Sequence, residues 1–204
     1  MIVVHPKDPS TAMLQSIYEE LDITFFDSYK QKEEILSAIR NAPKDEPILL
    51  LGHGCPSGLL DMRYGLLIDE DDAEILKDRP NLVCIWCYAS SYAYLHNLKG
   101  FFSGMFISEP SEAYVHDVKA TDDEVDWCAS DFALRFGDML REGKTIREAA
   151  ASLMDPKWIV SDLTRYNYIR LEYRETGEEG LPYDDRLAFG MIDGEKELSL
   201  KGIK

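Results

Sequence analysis

Two residues that end successive apolar runs could do chemistry together: His53 in Leu51-Gly52-His53-Gly54, and Cys87 in Ile85-Trp86-Cys87-Tyr88-Ala89-Ser90. A free thiol has a pKa near 8.5, so only a few per cent is thiolate at pH 7. An adjacent imidazole favours the thiolate and can later return the proton to a leaving amine. The N-terminus of a helix beginning after Cys87 acts in the same direction. Gly54 lets backbone approach a substrate closely, so its N–H and that of Cys87 are the expected oxyanion hole. This chemistry is acyl transfer through a thioester.

The other chemically able side chains read as bystanders. Cys84 lies inside its apolar run, Cys55 follows His53 on the loop side, and Cys128 falls in a helical pattern. His53, Cys55 and Cys87 could supply three zinc ligands, but no fourth ligand and no standard spacing accompany them, so no metal is expected. His5 ends the first apolar run and is expected to be structural, as are His96 and His116. Pro6-Lys7-Asp8 follows that run where a phosphate-binding glycine loop would belong, which argues against a nucleotide. No cofactor is expected.

The elements that must position the pair follow from periodicity. Strands are expected at residues 2–5, 23–26, 48–51, 82–86 and 104–108, and helices at 9–21, 30–41, 69–78 and 90–98. Residues 59–68 read as two very short strands turning near Arg63-Tyr64-Gly65. This alternation predicts a parallel sheet covered by helices on both faces, with the strand C-termini along one edge. The second half reads as helical. Thr121-Asp-Asp-Glu124 and Thr145-Ile-Arg-Glu148 are capping boxes, and Asp155-Pro156 opens a third helix carrying Ile159, Leu163, Tyr166 and Leu171. A final hairpin is expected through Asp193-Gly194. Residues 1–204 are expected to form one domain, with a sheet core over about 1–118 and C-terminal helices and tail over about 119–204.

Several of these features together resemble a known group. They are His53-Gly54 after one apolar strand, Cys87-x-x-Ser90 after the next, the hairpin and helix between them, and Arg79-Pro80-Asn81 ahead of the Cys strand. The later Ser108-Glu109-Pro110, the helix over 121–143 and Thr145-Ile-Arg-Glu-Ala149 extend the pattern. Over about residues 2–153 the chain resembles clan CD cysteine peptidases (caspases, gingipains, clostripain and separase) and is most similar to the bacterial CHAT-type domains. The resemblance implies a three-layer caspase-like (flavodoxin-like) α/β fold with a Cys87–His53 dyad. It also implies hydrolysis of a peptide or protein substrate without metal or organic cofactor. The caspase pentapeptide is replaced by Trp86-Cys87-Tyr88, and His and Cys lie closer in sequence than in caspases, which excludes caspase membership.

Specificity is read from charge. Arg63 and Arg79 are the only arginines in this region, whereas Asp61, Glu109 and Glu112 crowd the expected edge. A carboxylate there favours Lys or Arg before the scissile bond through a charge-assisted hydrogen bond. Glu109 is the leading pocket residue, with Tyr88 and Asp61 as further lining. Two alternatives stand beside the enzyme: a non-catalytic caspase-like interaction module, and a flavodoxin-like domain that binds a small ligand.

Composition sets the outer bounds. Of 204 residues, 45% are apolar and 11% aromatic, which excludes a disordered chain. The net charge of −16, from 22 basic and 38 acidic residues, argues against nucleic acid and anionic membranes as partners. Four irregularly spaced cysteines make no secreted disulfide scaffold. No basic leader precedes the first apolar run and no apolar stretch is long enough to span a bilayer, so the cytoplasm is the expected compartment.

Overall fold

Apolar residues in β1 (Ile2–Val4), β2 (Thr24–Phe26) and β3 (Ile48–Leu51) open the chain's sheet, and β1 and β3 are buried at every position. A small antiparallel sheet follows, made of β4 (Gly54–Cys55), β5 (Gly58–Leu60) and β6 (Leu66–Ile68). β7 (Leu82–Ile85), β8 (Gly100–Ser103) and β9 (Leu171–Arg174) complete the main sheet. Its order is β2-β1-β3-β7-β8-β9, parallel throughout except for the antiparallel edge strand β9. The computed structural model describes residues 1–176 and 179–192, so the hairpin expected through Asp193-Gly194 lies outside the described residues.

Because side chains alternate across a strand, the continuous apolar runs divide between two cores. Val3, Leu49, Leu51, Val83, Ile85 and Phe101 face one. It is covered by a 3-10 helix (Pro9–Ile17) and, further along the chain, by three α-helices. The other face carries Ile2, Val4, Ile48, Leu50, Cys84 and Phe102. Here α1 (Lys32–Asn41), α2 (Ala73–Leu76) and α3 (Ala89–Leu95) cover it. After α4 (Pro110–Val115), the helices of the first face are α5 (Asp122–Arg141), α6 (Ile146–Leu153) and α7 (Asp162–Tyr168), and α8 (Tyr183–Ala188) comes last. The result is an α/β fold with helices on both faces of a mostly parallel sheet. The strand order reverses direction between β1 and β3, a topological switch point of the kind where doubly wound sheets place their crevices.

Three local expectations are corrected. The fifth strand lies at Gly100–Ser103 rather than 104–108. Residues 104–107 are buried but take their hydrogen bonds elsewhere: Gly104 N–H to the Arg170 carbonyl, Met105 N–H to Asp184, and Ile107 N–H to Asn167. The helix expected after Asp155-Pro156 stops as one short 3-10 turn, because Ser161 and Thr164 form a new capping box that starts α7. Leu171 belongs to β9, not to that helix. The first expected helix winds as a 3-10 helix, capped by the Asp8 carboxylate on the Ser10 N–H. Among the described residues, no helix is long and apolar enough to cross a membrane.

Candidate functional site

β3 and β7 are hydrogen-bonded neighbours, with Leu51 opposite Ile85. His53 and Cys87 each lie two residues beyond that pair. They therefore continue the alternation of Leu49–Leu51 and Val83–Ile85 onto the same face of the sheet. Both line one slot of about 30 Å³, with Thr11, Gly52, Phe106 and Ser108 among its other walls. That volume holds about one or two waters.

The imidazole is held by one nitrogen. His53 Nε2 lies 2.6 Å from Ser10 Oγ, and Ser10 Oγ donates to Asp8 Oδ1 at 2.7 Å. Asp8 Oδ2 approaches the same nitrogen at 3.9 Å. A hydroxyl has one proton to give. The Ser10 hydrogen bond, with nearby His53 and His5, holds the Asp8 carboxyl below the usual carboxylate range, so Asp8 is ionised and accepts the hydroxyl's one hydrogen bond. Nε2 must then carry the N–H that Ser10 Oγ accepts, which leaves the lone pair on Nδ1. Among the described residues, nothing hydrogen-bonds Nδ1.

The thiol faces another way. Cys87 Sγ donates to the Phe106 carbonyl at 3.7 Å and makes no hydrogen bond to the imidazole. Burial pushes its pKa up to about 12; Glu112, Asp184 and Glu109 add to the rise and the Phe106 contact opposes it. The lowered thiol pKa expected from sequence is corrected accordingly. Of the charges that raise it, Glu109 and Glu112 were expected at this edge from sequence, whereas Asp184 of α8 was not. Tyr88, at the cap of α3, adopts a left-handed conformation with φ 68°, an uncommon strain for a non-glycine residue between strand and helix.

The remaining expected site residues separate into two groups. Glu109 lines an open groove of about 470 Å³ with Pro9, Ser10, Met13, Ser108 and Asp126, and the groove shares Met13 and Ser108 with the slot. Asp61 does not line it. Its carboxylate accepts from the N–H groups of Arg63 and Gly65, closing the turn between β5 and β6. Tyr88 packs half-buried against the first core, with Asp184 and Arg170 near its hydroxyl. Gly54 has a packing reason to be glycine, since a Cβ there would collide with the Trp86 indole. That indole donates to the Cys55 carbonyl at 3.1 Å. Cys84 is fully buried, as expected.

Asp8, Ser10 and Asp126 are the residues that sequence reasoning missed. One signal pointed to the first two: an acid before Pro9 at the end of β1 marks a helix start on the same sheet edge as His53. Among the described residues, no three His, Cys, Asp or Glu side chains are arranged to hold a metal ion. Comparison with known proteins gave no match: no family model, curated protein or solved structure corresponds to this chain.

Proposed function

We propose that the chain is a cysteine endopeptidase of the clan CD type, with Cys87 as nucleophile and His53 as base and acid. The observation that carries this reading is convergence. His53 and Cys87, from adjacent parallel strands, reach one slot with His53 anchored through Nε2 alone. The doubly wound sheet, and the small sheet and short helix between the two strands, support a caspase-like assignment of the fold.

With the thiol protonated at rest, His53 acts as a general base during attack rather than in a standing ion pair. Nδ1 takes the S–H proton as sulfur bonds to the scissile carbonyl carbon. The Gly54 and Cys87 N–H groups are the proposed donors to the oxyanion. The C–N bond then breaks as the imidazolium protonates the leaving amine, giving a thioester. Water, deprotonated by the same nitrogen, attacks the thioester and releases the acid and the Cys87 thiol. The slot has room for a carbonyl group but not for a long side chain, so the residue before the scissile bond extends into the groove. Glu109 and Asp126 line that groove, which favours Arg or Lys.

A fluorogenic peptide panel varied before the scissile bond tests this directly. Cleavage after Arg or Lys is expected, falling by about 10⁴-fold or more in Cys87→Ala. Glu109→Gln is expected to narrow the preference for Arg over a neutral residue by about three- to tenfold. Cleavage after Asp, or activity unchanged in Cys87→Ala, would overturn the assignment. A second reading, a non-catalytic interaction module, is favoured by the half-buried, protonated thiol on the Phe106 carbonyl. Absence of hydrolysis across the whole panel would select it.

A further inference from the structure

The nine-residue 3-10 helix Pro9–Ile17 is unusually long for its kind. With three residues per turn, side chains three apart stack in columns, so this helix has three distinct faces. Thr11, Leu14 and Ile17 are buried in the core. Ser10 and Met13 face the groove that also holds Glu109. The third column, Pro9, Ala12 and Gln15, lines a second cavity of about 500 Å³ at the ends of β1 and β2.

Much of that cavity's wall is apolar. Pro6, Tyr18, Phe25 and Met62 add to the helix column, and His5, Asp8 and the exposed Lys7 and Asp27 complete the lining. Phe25 is 42% exposed and Met62 62% exposed, so large apolar side chains remain open to solvent at the rim. Its innermost polar group is already satisfied: His5 bonds the Tyr18 hydroxyl through Nδ1 at 3.0 Å and Thr11 Oγ1 through Nε2 at 3.1 Å. The volume falls within the range of small-ligand sites and exceeds one aromatic side chain. The wall is also fixed in place. Gly137 of α5 lets that helix press against the Ser16 carbonyl, where a Cβ would collide, and Arg141 donates to the carbonyls of Ser16 and Glu19.

The second cavity adjoins the candidate site across the 3-10 helix. Asp8, which holds Ser10 against His53, lines this cavity, and Pro9 lines both it and the acidic groove. We infer that the cavity binds an aromatic or branched aliphatic side chain of the same peptide whose basic residue enters the groove, with the 3-10 helix as the wall between the two side chains. The inference rests on the peptidase reading and names its substrate class: peptides that carry one basic and one large apolar residue on either side of that wall.

Two measurements separate this inference from the reading beneath it. In the first, peptides with Arg before the scissile bond carry Phe, Leu or Ser at each neighbouring position in turn. At one position Phe or Leu is expected to raise kcat/KM over Ser by about ten- to a hundredfold. That ratio is expected to collapse toward one in Ala12→Trp, which fills the cavity from an exposed position. The preference for Arg over Asp is expected to persist in the same variant. In the second, the Met62 methyl resonance is followed in the Cys87→Ala chain as uncleaved Phe and Ser peptides are added. A saturable shift with the Phe peptide alone is expected.

Cleavage of Arg peptides with no apolar preference, or with a preference that survives Ala12→Trp, overturns the inference and leaves the peptidase reading standing. A Met62 shift without cleavage in the native chain supports the cavity and overturns the peptidase. A silent Met62 methyl overturns the inference whatever the cleavage result. Equal saturation by N-acetylphenylalaninamide at the peptide's concentration overturns it as well, by assigning the cavity to a free small molecule.

Discussion

His5 and His53 end neighbouring parallel strands, β1 and β3, on the same edge of the sheet, yet they are built for opposite ends. His5 is buried, with both ring nitrogens bonded to side-chain hydroxyls, and burial lowers its pKa to about 4. His53 is bonded at one nitrogen only and borders a water-sized slot that also contains a thiol. Position at this edge of the sheet is therefore not enough. A histidine can act as a base here only where the fold engages one nitrogen and leaves the other facing a cavity with a reactive group.

The largest expected effect separates the two histidines by their readout. His53→Ala is expected to lower kcat on Arg peptides by about 10²- to 10⁴-fold, the usual contribution of a positioned acid–base group. Its unfolding midpoint in urea is expected to move little. His5→Asn is expected to reverse that pattern and lose stability first. Equal losses of kcat per unit of lost stability in both variants would erase the distinction.

The pH dependence of stability sharpens the same contrast. Below pH 6.5 the unfolded chain protonates His5 while the folded chain resists until about pH 4. The unfolded state therefore binds more protons in that window, and stability falls as pH falls through it. The full cost approaches about 3 kcal/mol at the acid end. Urea titrations between pH 7 and pH 4 should display this slope, and His5→Asn should flatten it. A slope unchanged in that variant would assign the acid sensitivity to other groups.

The smallest of the three effects concerns the anchor. Ser10→Ala removes the hydroxyl between Asp8 and His53, and kcat is expected to fall about tenfold with KM nearly unchanged. Ser10→Thr keeps the hydroxyl and is expected to restore most of the loss. A change in KM alone would make Ser10 a groove residue rather than a positioning residue.

Much of this arrangement was legible in the sequence, for identifiable reasons. The buried strands around the pair are continuous apolar runs, so β1, β3 and β7 and their parallel pairing could be read directly. His53 and Cys87 stood out because each breaks such a run at its end. What lay hidden depended on distant partners. Ser10 meets His53 across 43 residues of chain, and only the 3-10 winding turns it toward the groove. β9 was masked by Glu172 and Arg174, charged residues in an edge strand. Residues 104–107 looked like a strand because they are buried, but Asp184 and Asn167 satisfy their amides in place of a ladder. The raised thiol pKa follows from burial of Cys87 and from carboxylates that include Asp184, far along the chain, which no local pattern encodes.

The central claim is that Cys87 carries the acyl group with His53 as its base. Its most direct test is the intact mass of the chain after acid quenching during turnover of a slowly hydrolysed peptidyl-arginine ester. The account predicts an adduct of the acyl mass on Cys87, sensitive to hydroxylamine, absent in Cys87→Ala and strongly reduced in His53→Ala. An adduct that maps to Ser10, or an ester hydrolysed with no adduct on Cys87 at any time, would contradict it.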